Sequence, residues 1–231
     1  MSSAVAVGLD ALEQRLAHDL ACLQLPAPRW TPELQHQGQP VADVAIIGAG
    51  MAGLALAAAL VHRGMAVTVY DESPAGLEGP WATTARMETL RSPKQLAGPA
   101  LGIASLTFRA WFEAQFGAAA WEALDKIPRL QWMDYLRWYR HALGLVVHNE
   151  HRVTDVLPQP DGVVELRVQA AGREQAVFAR RVVLATGRAG LGGPLVPDFV
   201  HALPRGRWLH SSDLYEEGSL RGLRVGVVGA G

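Results

Sequence analysis

The fold is decided by residues 43–71, DVAIIGAGMAGLALAAALVHRGMAVTVYD. The apolar strand VAIIG runs into a glycine loop, an Ala/Leu-rich helix covers about residues 52–62, and the strand AVTVYD ends on Asp71. This order predicts a complete β-α-β unit. We therefore expect an α/β fold that opens with a Rossmann-type unit.

The loop has the spacing GxGxxG at Gly48, Gly50 and Gly53. Gly48 permits a tight turn, Gly50 lets the backbone approach a pyrophosphate, and Gly53 lets the helix pack closely on the strand. The helix N-terminus then faces the phosphate charge. Asp71, eighteen residues after Gly53, is placed to accept hydrogen bonds from ribose hydroxyls. The pattern predicts a dinucleotide site, with a tight turn that binds no ligand as the alternative.

The composition excludes several classes of protein. With 21 Lys and Arg against 22 Asp and Glu, the formal charge is −1, so no positive field attracts nucleic acid or an anionic membrane. The single Cys22 excludes an internal disulfide framework, a CxxC redox pair and a cysteine-based zinc site. The His residues show no HxxxH or HExxH pairing and no GxSxG elbow occurs, so we expect neither a metal site nor a hydrolase.

Targeting signals are not apparent either. The longest apolar stretch, around residues 44–61, is interrupted by the glycine loop and is too short for a membrane span. The N-terminus carries acidic residues where a secretion signal has a cationic start. We expect a cytoplasmic protein with a small-molecule substrate.

Helices are predicted on both sides of the glycine loop. Residues 8–23 show amphipathic spacing, which indicates an arm packed on its own domain or a partner contact. Residues 24–41 are rich in Pro and indicate a connector. Helices are expected at 105–116, with Ser105 as N-cap, at 118–125 and at 131–142. Their many aromatic residues indicate core packing, with an aromatic substrate pocket as the alternative.

The second half of the chain predicts strands at VVHN (146–149), HRVTDVLP (151–158), GVVELRVQA (162–170) and EQAVFARRVVLATG (174–187). A Gly/Pro-rich crossing follows. One motif is repeated, because VAIIGAG at 44–50 returns as VGVVGAG at 225–231. A separate strand is expected from Leu223 to Val228.

Two such loops in one chain resemble the FAD/NAD(P) double-Rossmann flavoproteins, and VLATGRAGLGGPLVPDF at 183–199 is similar to their ATG-containing crossing. The resemblance covers about residues 43–231. It implies a three-layer ββα FAD-binding domain at 42–190, a crossing at 191–222 and the start of an NAD(P)-binding domain at 223–231. Residues 1–41 precede these domains as the N-terminal helix and connector. The first loop would bind FAD and the second NADPH.

Within that group the chain resembles the class B flavin monooxygenases. Their fingerprint FxGxxxHxxx(W/F/Y) is matched at Gly206 and His210, whereas Pro204 and Leu214 replace its two aromatic ends. Disulfide reductases need a cysteine pair, which this chain lacks. The resemblance implies an FAD-dependent monooxygenase that uses NADPH. A reductase or dehydrogenase without oxygenation, or a noncatalytic FAD-binding fragment, remains the alternative.

Further positions follow from the same resemblance. Gly79 and Trp81 match a GGxW segment that runs along the flavin, although a buried Trp at a domain seam explains Trp81 equally well. Arg86, Arg91 and Lys94 are cations that could serve phosphates, or belong to a solvated loop. The backbone of Val153 matches the usual adenine contact. The full set of expected cofactor-binding residues is Gly48, Gly50, Met51, Ala52, Gly53, Asp71, Glu72, Gly79, Trp81, Arg91, Val153, Ala185, Thr186, Gly187, Gly229 and Gly231.

The cofactor would carry the chemistry, so no catalytic side chain is predicted. His210 is expected to couple the two domains rather than to act as a base. Because the printed chain ends at Gly231, before a third glycine of the second loop, we expect the isolated polypeptide to bind FAD weakly and not to turn over.

Overall fold

The structure is a computed structural model that describes residues 8–188, 190, 192–213 and 215–229. Within those residues it has four α-helices and six β-strands. In chain order they are α1 (Leu9–Cys22), β1 (Gln35–His36), β2 (Gln39–Ile47), α2 (Met51–His62), β3 (Val67–Tyr70), α3 (Phe108–Ala123), α4 (Arg129–Ala142), β4 (Arg152–Pro158), β5 (Val164–Ala170) and β6 (Arg173–Leu184).

β2 lies at the centre of the parallel part of the sheet. It pairs in parallel with β3 on one side and with the second half of β6 on the other. The first half of β6 pairs antiparallel with β5, which pairs antiparallel with β4. β6 therefore joins the parallel strands β2 and β3 to the antiparallel meander of β4, β5 and β6 itself.

The faces of β2 separate two cores. Ile46 packs in the large core with the helices, whereas Ala45 packs with Leu166 and Val168 of β5. Neighbouring residues face opposite sides because side chains alternate along a strand. Helices, parallel strands and meander thus form the three-layer ββα arrangement that was predicted.

The middle helices bury all but one of their aromatic residues, as the core interpretation predicted; the exception is Phe116, which is 48% exposed. α3 is interrupted at Gly117, whose φ is +82°, and this glycine separates the two helices expected at 105–116 and 118–125. The predicted N-cap at Ser105 is wrong. Thr107 caps α3 by accepting a hydrogen bond from the Ala110 N–H at 3.1 Å, while Ser105 lies in a preceding 3₁₀ turn. The buried aromatic residues are Phe108, Trp111, Phe112, Trp121, Trp132, Tyr135, Trp138 and Tyr139.

α1 packs on its own domain, which the first of its two interpretations predicted. Leu12 and Leu16 are buried in the large core. On its polar side, Glu13 accepts a hydrogen bond from the Trp138 indole N–H at 2.9 Å, and Asp19 accepts one from the Ser105 hydroxyl. These contacts fix α1 against α4 and the start of α3.

The connector is more ordered than its composition predicted. β1 pairs antiparallel with the start of β2 across a two-residue turn, and both turn residues, Gln37 and Gly38, have positive φ. Such a turn matches the twist of its flanking strands. β2 therefore begins at Gln39, five residues before Val44, where the predicted strand VAIIG starts. Sequence periodicity missed this start because Pro40 weakens the strand pattern.

VVHN forms less structure than predicted. His148 makes an isolated parallel bridge to Tyr70, supported by hydrogen bonds from its N–H to the Val69 carbonyl at 2.8 Å and from the Asp71 N–H to its own carbonyl at 3.0 Å. Tyr70 is the last residue of β3. Of the VVHN segment, only His148 therefore pairs with the sheet, and it does so at the end of β3.

Asp43 fixes the start of β2 to its surroundings. Its side chain is 1% exposed and accepts hydrogen bonds from the Thr31 hydroxyl at 2.6 Å and the Ala66 N–H at 2.8 Å. The Arg180 guanidinium lies 3.3 Å from the other carboxylate oxygen. Burial acts to raise the pKa of Asp43, but these hydrogen bonds and the nearby arginines outweigh it and hold the pKa below the usual 3.8.

We predict that Asp43→Asn lowers the free energy of unfolding by about 2 kcal/mol at pH 7, because charged hydrogen bonds in a buried site are lost. The lowered pKa means that this stabilisation is present above pH 3.8 and is lost as the pH falls through the folded-state pKa. Urea unfolding at several pH values should therefore show the two proteins converge in acid. Glu33→Gln, which alters an exposed partner of Arg29, is the control. A constant difference down to pH 3 would contradict this.

Candidate functional site

The glycine loop forms the tight turn between β2 and α2 that the spacing predicted. Gly48 has φ +103°, and a Cβ there would lie 2.5 Å from the Ala185 carbonyl oxygen. A Cβ on Gly53 would lie 1.9 Å from the Gly48 carbonyl oxygen. Both distances are far below van der Waals contact, so neither position accommodates a side chain without a backbone shift.

Gly50 differs from the other two glycines. Its φ of −63° is open to any residue, and a Cβ there would lie 3.6 Å from the Gly79 Cα, an ordinary contact. The fold therefore does not require glycine at this position. A requirement for glycine must come from something that approaches Gly50 from outside.

The first turn of α2 is open to solvent. Met51 and Ala52 are exposed, and Gly50 supplies no side-chain cap to the first helical N–H groups. Such N–H groups need an outside acceptor and lie at the positive end of the helix dipole. This arrangement suits an anion such as a pyrophosphate.

Asp71 binds the loop itself. One carboxylate oxygen accepts the Ala49 N–H at 2.6 Å, and the other accepts the Ser73 N–H at 2.8 Å. Asp71 is 8% exposed. Each oxygen keeps a further lone pair, so a ribose hydroxyl could still donate to it. The sequence predicted the ribose role but not this hold on the loop.

Glu72 has a different environment from its neighbour. Its side chain is 67% exposed and lies 3.6 Å from the Arg152 guanidinium. An exposed ion pair of this kind contributes little stability and can exchange partners readily. Among the two acids, Glu72 is therefore the one that is free to meet a ligand in solvent.

The segment at Gly79 lies across the helix N-terminus. A Cβ on Gly79 would lie 3.4 Å from the Gly50 Cα, and the Thr83 hydroxyl donates to the Gly79 carbonyl at 2.8 Å. Trp81 is half-buried against the large core, with its ring edge-on to Trp132 at 6.4 Å between centroids. The sequence-predicted Gly79 thus meets the glycine loop, while the Trp81 ring contacts the core.

The end of β6 reaches the same loop. The Ala185 N–H donates to the Ile47 carbonyl at 2.8 Å, and the Ala185 carbonyl lies next to Gly48. Thr186 and Gly187 follow directly, with Gly187 in the left-handed region at φ +68°. The predicted positions 185–187 are therefore brought beside the first glycine.

The start of β4 lies at Asp71. The His151 N–H donates to the Asp71 carbonyl at 2.9 Å, and Val153, two residues later, pairs with Val168 of β5. Val153 therefore stands at the carboxyl end of β3, on the side where its predicted adenine contact would be.

The three predicted cations are dispersed. The Lys94 ammonium donates to the carbonyls of Trp121 and Leu124, each at 2.6 Å, so it caps the C-terminal end of α3 and cannot serve a phosphate. Arg86 lies 4.9 Å from the Tyr215 ring centroid. Arg91 is exposed, and no described contact joins it to the glycine loop. The solvated-loop interpretation therefore fits Arg91 better.

The second glycine motif shares a positive φ with the first but not its strand. Gly229 has φ +99°, close to the +103° of Gly48. The predicted strand at Leu223–Val228 is wrong for the described chain, since Val227 is 85% exposed and no residue in the segment is in a strand. A strand needs a neighbour to bond to, and the described residues offer it none. Gly231 lies outside the described residues.

The fingerprint residues lie in a compact turn. Gly206 is the middle residue of a 3₁₀ turn, and the His210 imidazole lies 2.7 Å from the Ser212 hydroxyl. The His210 N–H and the Arg205 guanidinium donate to Asp213 and lower its pKa. Leu214 lies outside the described residues. The Arg86 guanidinium reaches the Asp213 carbonyl at 3.5 Å, so His210 lies three residues before a contact with the segment at Arg86.

Sequence reasoning missed three residues beside the loop. Glu78 is 5% exposed and binds Arg140 and Asn149. No motif marks them, because their meeting depends on segments more than sixty residues apart in the chain. The only available signal was the position of Glu78 directly before Gly79.

Two other kinds of site are absent from the described residues. None of the described helices is long and apolar enough to cross a membrane. No group of three or more described His, Cys, Asp or Glu side chains is arranged to hold a metal ion.

Comparison with known proteins gives a consistent picture. A family model described as FAD-NAD(P)-binding matches residues 45–189. The FAD-dependent urate hydroxylase of Xanthomonas campestris is 46% identical over an alignment of 230 residues that covers 97% of this chain and 48% of that protein. The chain thus spans about half the length of this curated relative.

Solved structures agree at the level of the fold. The ornithine hydroxylase of Pseudomonas aeruginosa has a TM-score of 0.63 at 21% identity, over 74% of this chain and 44% of its own. The cadaverine monooxygenase of Erwinia amylovora, solved with FAD, has a TM-score of 0.60 at 21% identity, over 74% of this chain and 40% of its own.

The glycine geometry predicts unequal effects of alanine. Gly53→Ala should lower the free energy of unfolding by about 4 kcal/mol or more, because its Cβ would overlap a backbone carbonyl. Gly50→Ala should change it by no more than about 1 kcal/mol, since its Cβ meets only an ordinary contact. Thermal and urea unfolding of both variants would measure this. Equal losses of stability would contradict the described loop.

Proposed function

Because this chain belongs to the FAD-NAD(P)-binding family whose model matches residues 45–189, we propose that the glycine loop binds FAD and that the chain forms the FAD-binding part of an NADPH-dependent flavin monooxygenase. The observation that carries this proposal is the open first turn of α2 beside Gly50. The fold tolerates a side chain at Gly50, so a ligand explains the glycine better than packing does.

The proposed FAD contacts follow the sheet edge. The N–H groups from Gly50 to Gly53 would face the pyrophosphate. Asp71 and Glu72 would meet the ribose, the first through its remaining lone pairs. The Val153 backbone would meet the adenine. Gly79 with Trp81, and residues 185–187, would flank the flavin from opposite sides of the loop.

The proposed domains follow from these contacts. Residues 42–190 hold every proposed FAD contact. Arg91 also lies in this range, but it is solvated and is not retained among those contacts. Residues 1–41 pack on that domain, and residues 191–222 form the crossing. Residues 223–231 would begin the NADPH-binding part, and the Gly229 turn at φ +99° supports this.

The proposed reaction is oxygenation of a small organic molecule. Bound FAD would supply the redox chemistry, taking electrons from NADPH and passing them to oxygen. The chain's own residues would bind the cofactor, orient it and keep water from it. Urate is the first substrate to test, since the relative that matches 97% of this chain is a urate hydroxylase. We also propose a cytoplasmic location, with which the free Cys22 is compatible.

FAD binding tests the first half of the proposal. In a fluorescence titration the 231-residue chain should bind FAD weakly but measurably, and Gly50→Ala should raise the Kd on the order of tenfold, about 1.4 kcal/mol, while the protein stays folded. Asp71→Ala should weaken binding by about 1 to 3 kcal/mol. Glu113→Gln, on the exposed side of α3, is the control. Unchanged FAD affinity in Gly50→Ala would overturn the assignment.

A chimaera tests the second half. Residues 1–231 joined to the part of the Xanthomonas urate hydroxylase that the alignment leaves uncovered should oxidise NADPH and consume oxygen faster when urate is added. The same chimaera with Gly50→Ala is the matched control. NADPH oxidation without an oxygenated product would favour the reductase alternative. FAD binding with no NADPH oxidation would favour the noncatalytic fragment.

A further inference from the structure

Glu78 is a buried carboxylate beside the glycine loop. It is 5% exposed, and one of its oxygens accepts the Arg140 guanidinium at 2.7 Å and the Asn149 amide at 2.6 Å. Arg140 also binds the Asn149 side-chain oxygen at 3.0 Å. Arg140 and Asn149 therefore meet at the carboxylate of Glu78, which lies more than sixty residues earlier in the chain.

This carboxylate completes a series of hydrogen bonds that starts at the glycine loop. Asp71 accepts from Ala49 at 2.6 Å and from Ser73 at 2.8 Å. The Asn149 amide that binds Glu78 also donates to the Ser73 carbonyl at 3.1 Å. Residues 71–79 are thus fixed at their start by Asp71 and at their end by Glu78.

The end fixed by Glu78 is the end that meets the helix N-terminus. Gly79 follows it directly and approaches Gly50, where a Cβ on either glycine would lie within 3.6 Å of the other's Cα. A shift of the Glu78 carboxylate would therefore move the backbone that faces the proposed pyrophosphate site.

Packing alone does not hold this end. An open cavity of about 450 Å³ lies beside the network, lined by Ala49, Gly76, Glu78, Arg137 and Arg140 among others. Side chains next to such a space have few partner atoms on that side. The position of the segment therefore depends on directional hydrogen bonds.

An ion pair is a costly way to obtain stability alone. Removing two charges from water costs several kcal/mol per ion, and apolar replacements of buried pairs are often as stable or more so. The contribution of this ion pair is to fix the orientation of its two side chains. The second Arg140 nitrogen donates to the Val147 carbonyl at 3.2 Å, which fixes the guanidinium plane and with it the Glu78 carboxylate.

We propose that Glu78, Arg140 and Asn149 are positioning residues that hold Gly79–Trp81 across the α2 N-terminus before FAD arrives. This inference rests on the proposed function and extends it. A segment that is already in place loses less freedom when the ligand binds, so affinity rises without a direct contact. The network acts on FAD through Gly79 and not by touching it.

A double-mutant cycle tests the proposal. Glu78→Gln leaves the Arg140 charge without its partner, and Arg140→Met leaves the Glu78 charge without its own. Each single variant should raise the FAD Kd about tenfold, and the double variant should be about as weak as either single variant, because all three lose the same directional contact. All titrations are made well below the unfolding midpoint of each variant, so that only folded protein is compared.

Two readouts distinguish a positioning role of the network from a purely structural one. The fluorescence and visible absorption of bound FAD report the surroundings of the flavin, which a positioning network should change and a stability effect alone should not. Glu113→Gln breaks an exposed ion pair of 2.7 Å with Arg109 and should change neither the Kd nor the spectra.

The outcomes are distinct. A lowered unfolding midpoint with unchanged Kd and spectra in Glu78→Gln and Arg140→Met would overturn this inference and leave the proposed function standing. Absence of FAD binding by the unmodified chain would overturn both. Weakened binding with altered spectra, and no further weakening in the double variant, would support the positioning role. Recovery in the double variant would show that an unpaired charge and not the lost contact weakens binding, and would overturn this inference.

Discussion

The close approach of α2 to the glycine loop is the contact on which the rest of the structure depends. A Cβ at Gly53 would lie 1.9 Å from the Gly48 carbonyl, and one at Gly48 would lie 2.5 Å from the Ala185 carbonyl. The helix, the turn and the end of β6 therefore touch through backbone alone. This contact leaves the helix N-terminus uncovered at the sheet edge, and the proposed ligand site is a consequence of that geometry.

Two buried aspartates hold opposite ends of the same strand pair. Asp43 binds the connector and β6 where β2 begins, and Asp71 binds the glycine loop where β3 ends. Both are nearly fully buried, and both spend their oxygens on backbone N–H groups or neighbouring side chains. One stabilises the base of the sheet, while the other shapes the edge that faces a ligand.

The sequence predicted what depends on local pattern. The β-α-β unit, the glycine turn and the break at Gly117 follow from spacing within a few turns of chain, and the three-layer fold follows from the resemblance to a known family; the structure confirms them. Contacts between distant segments were not predictable. Lys94 caps α3, Glu78 meets Arg140, and Leu223–Val228 has no described strand to pair with, because each outcome depends on residues that periodicity does not relate. The assignment of individual FAD contacts stays a prediction.

The pairing of β2 with β6 has a consequence for how the chain folds. The register joins Ile47 to Leu184, so the centre of the parallel sheet is closed by residues from opposite ends of the domain. Contacts of such long range are slow to form because a large loop must close first. During synthesis the unit of β2, α2 and β3 must wait with one edge of β2 unpaired until β6 has emerged, and in that interval the open edge is exposed to pairing with other chains. β6, the strand that completes the proposed site, thus also ends the period in which the growing chain is at greatest risk of aggregation.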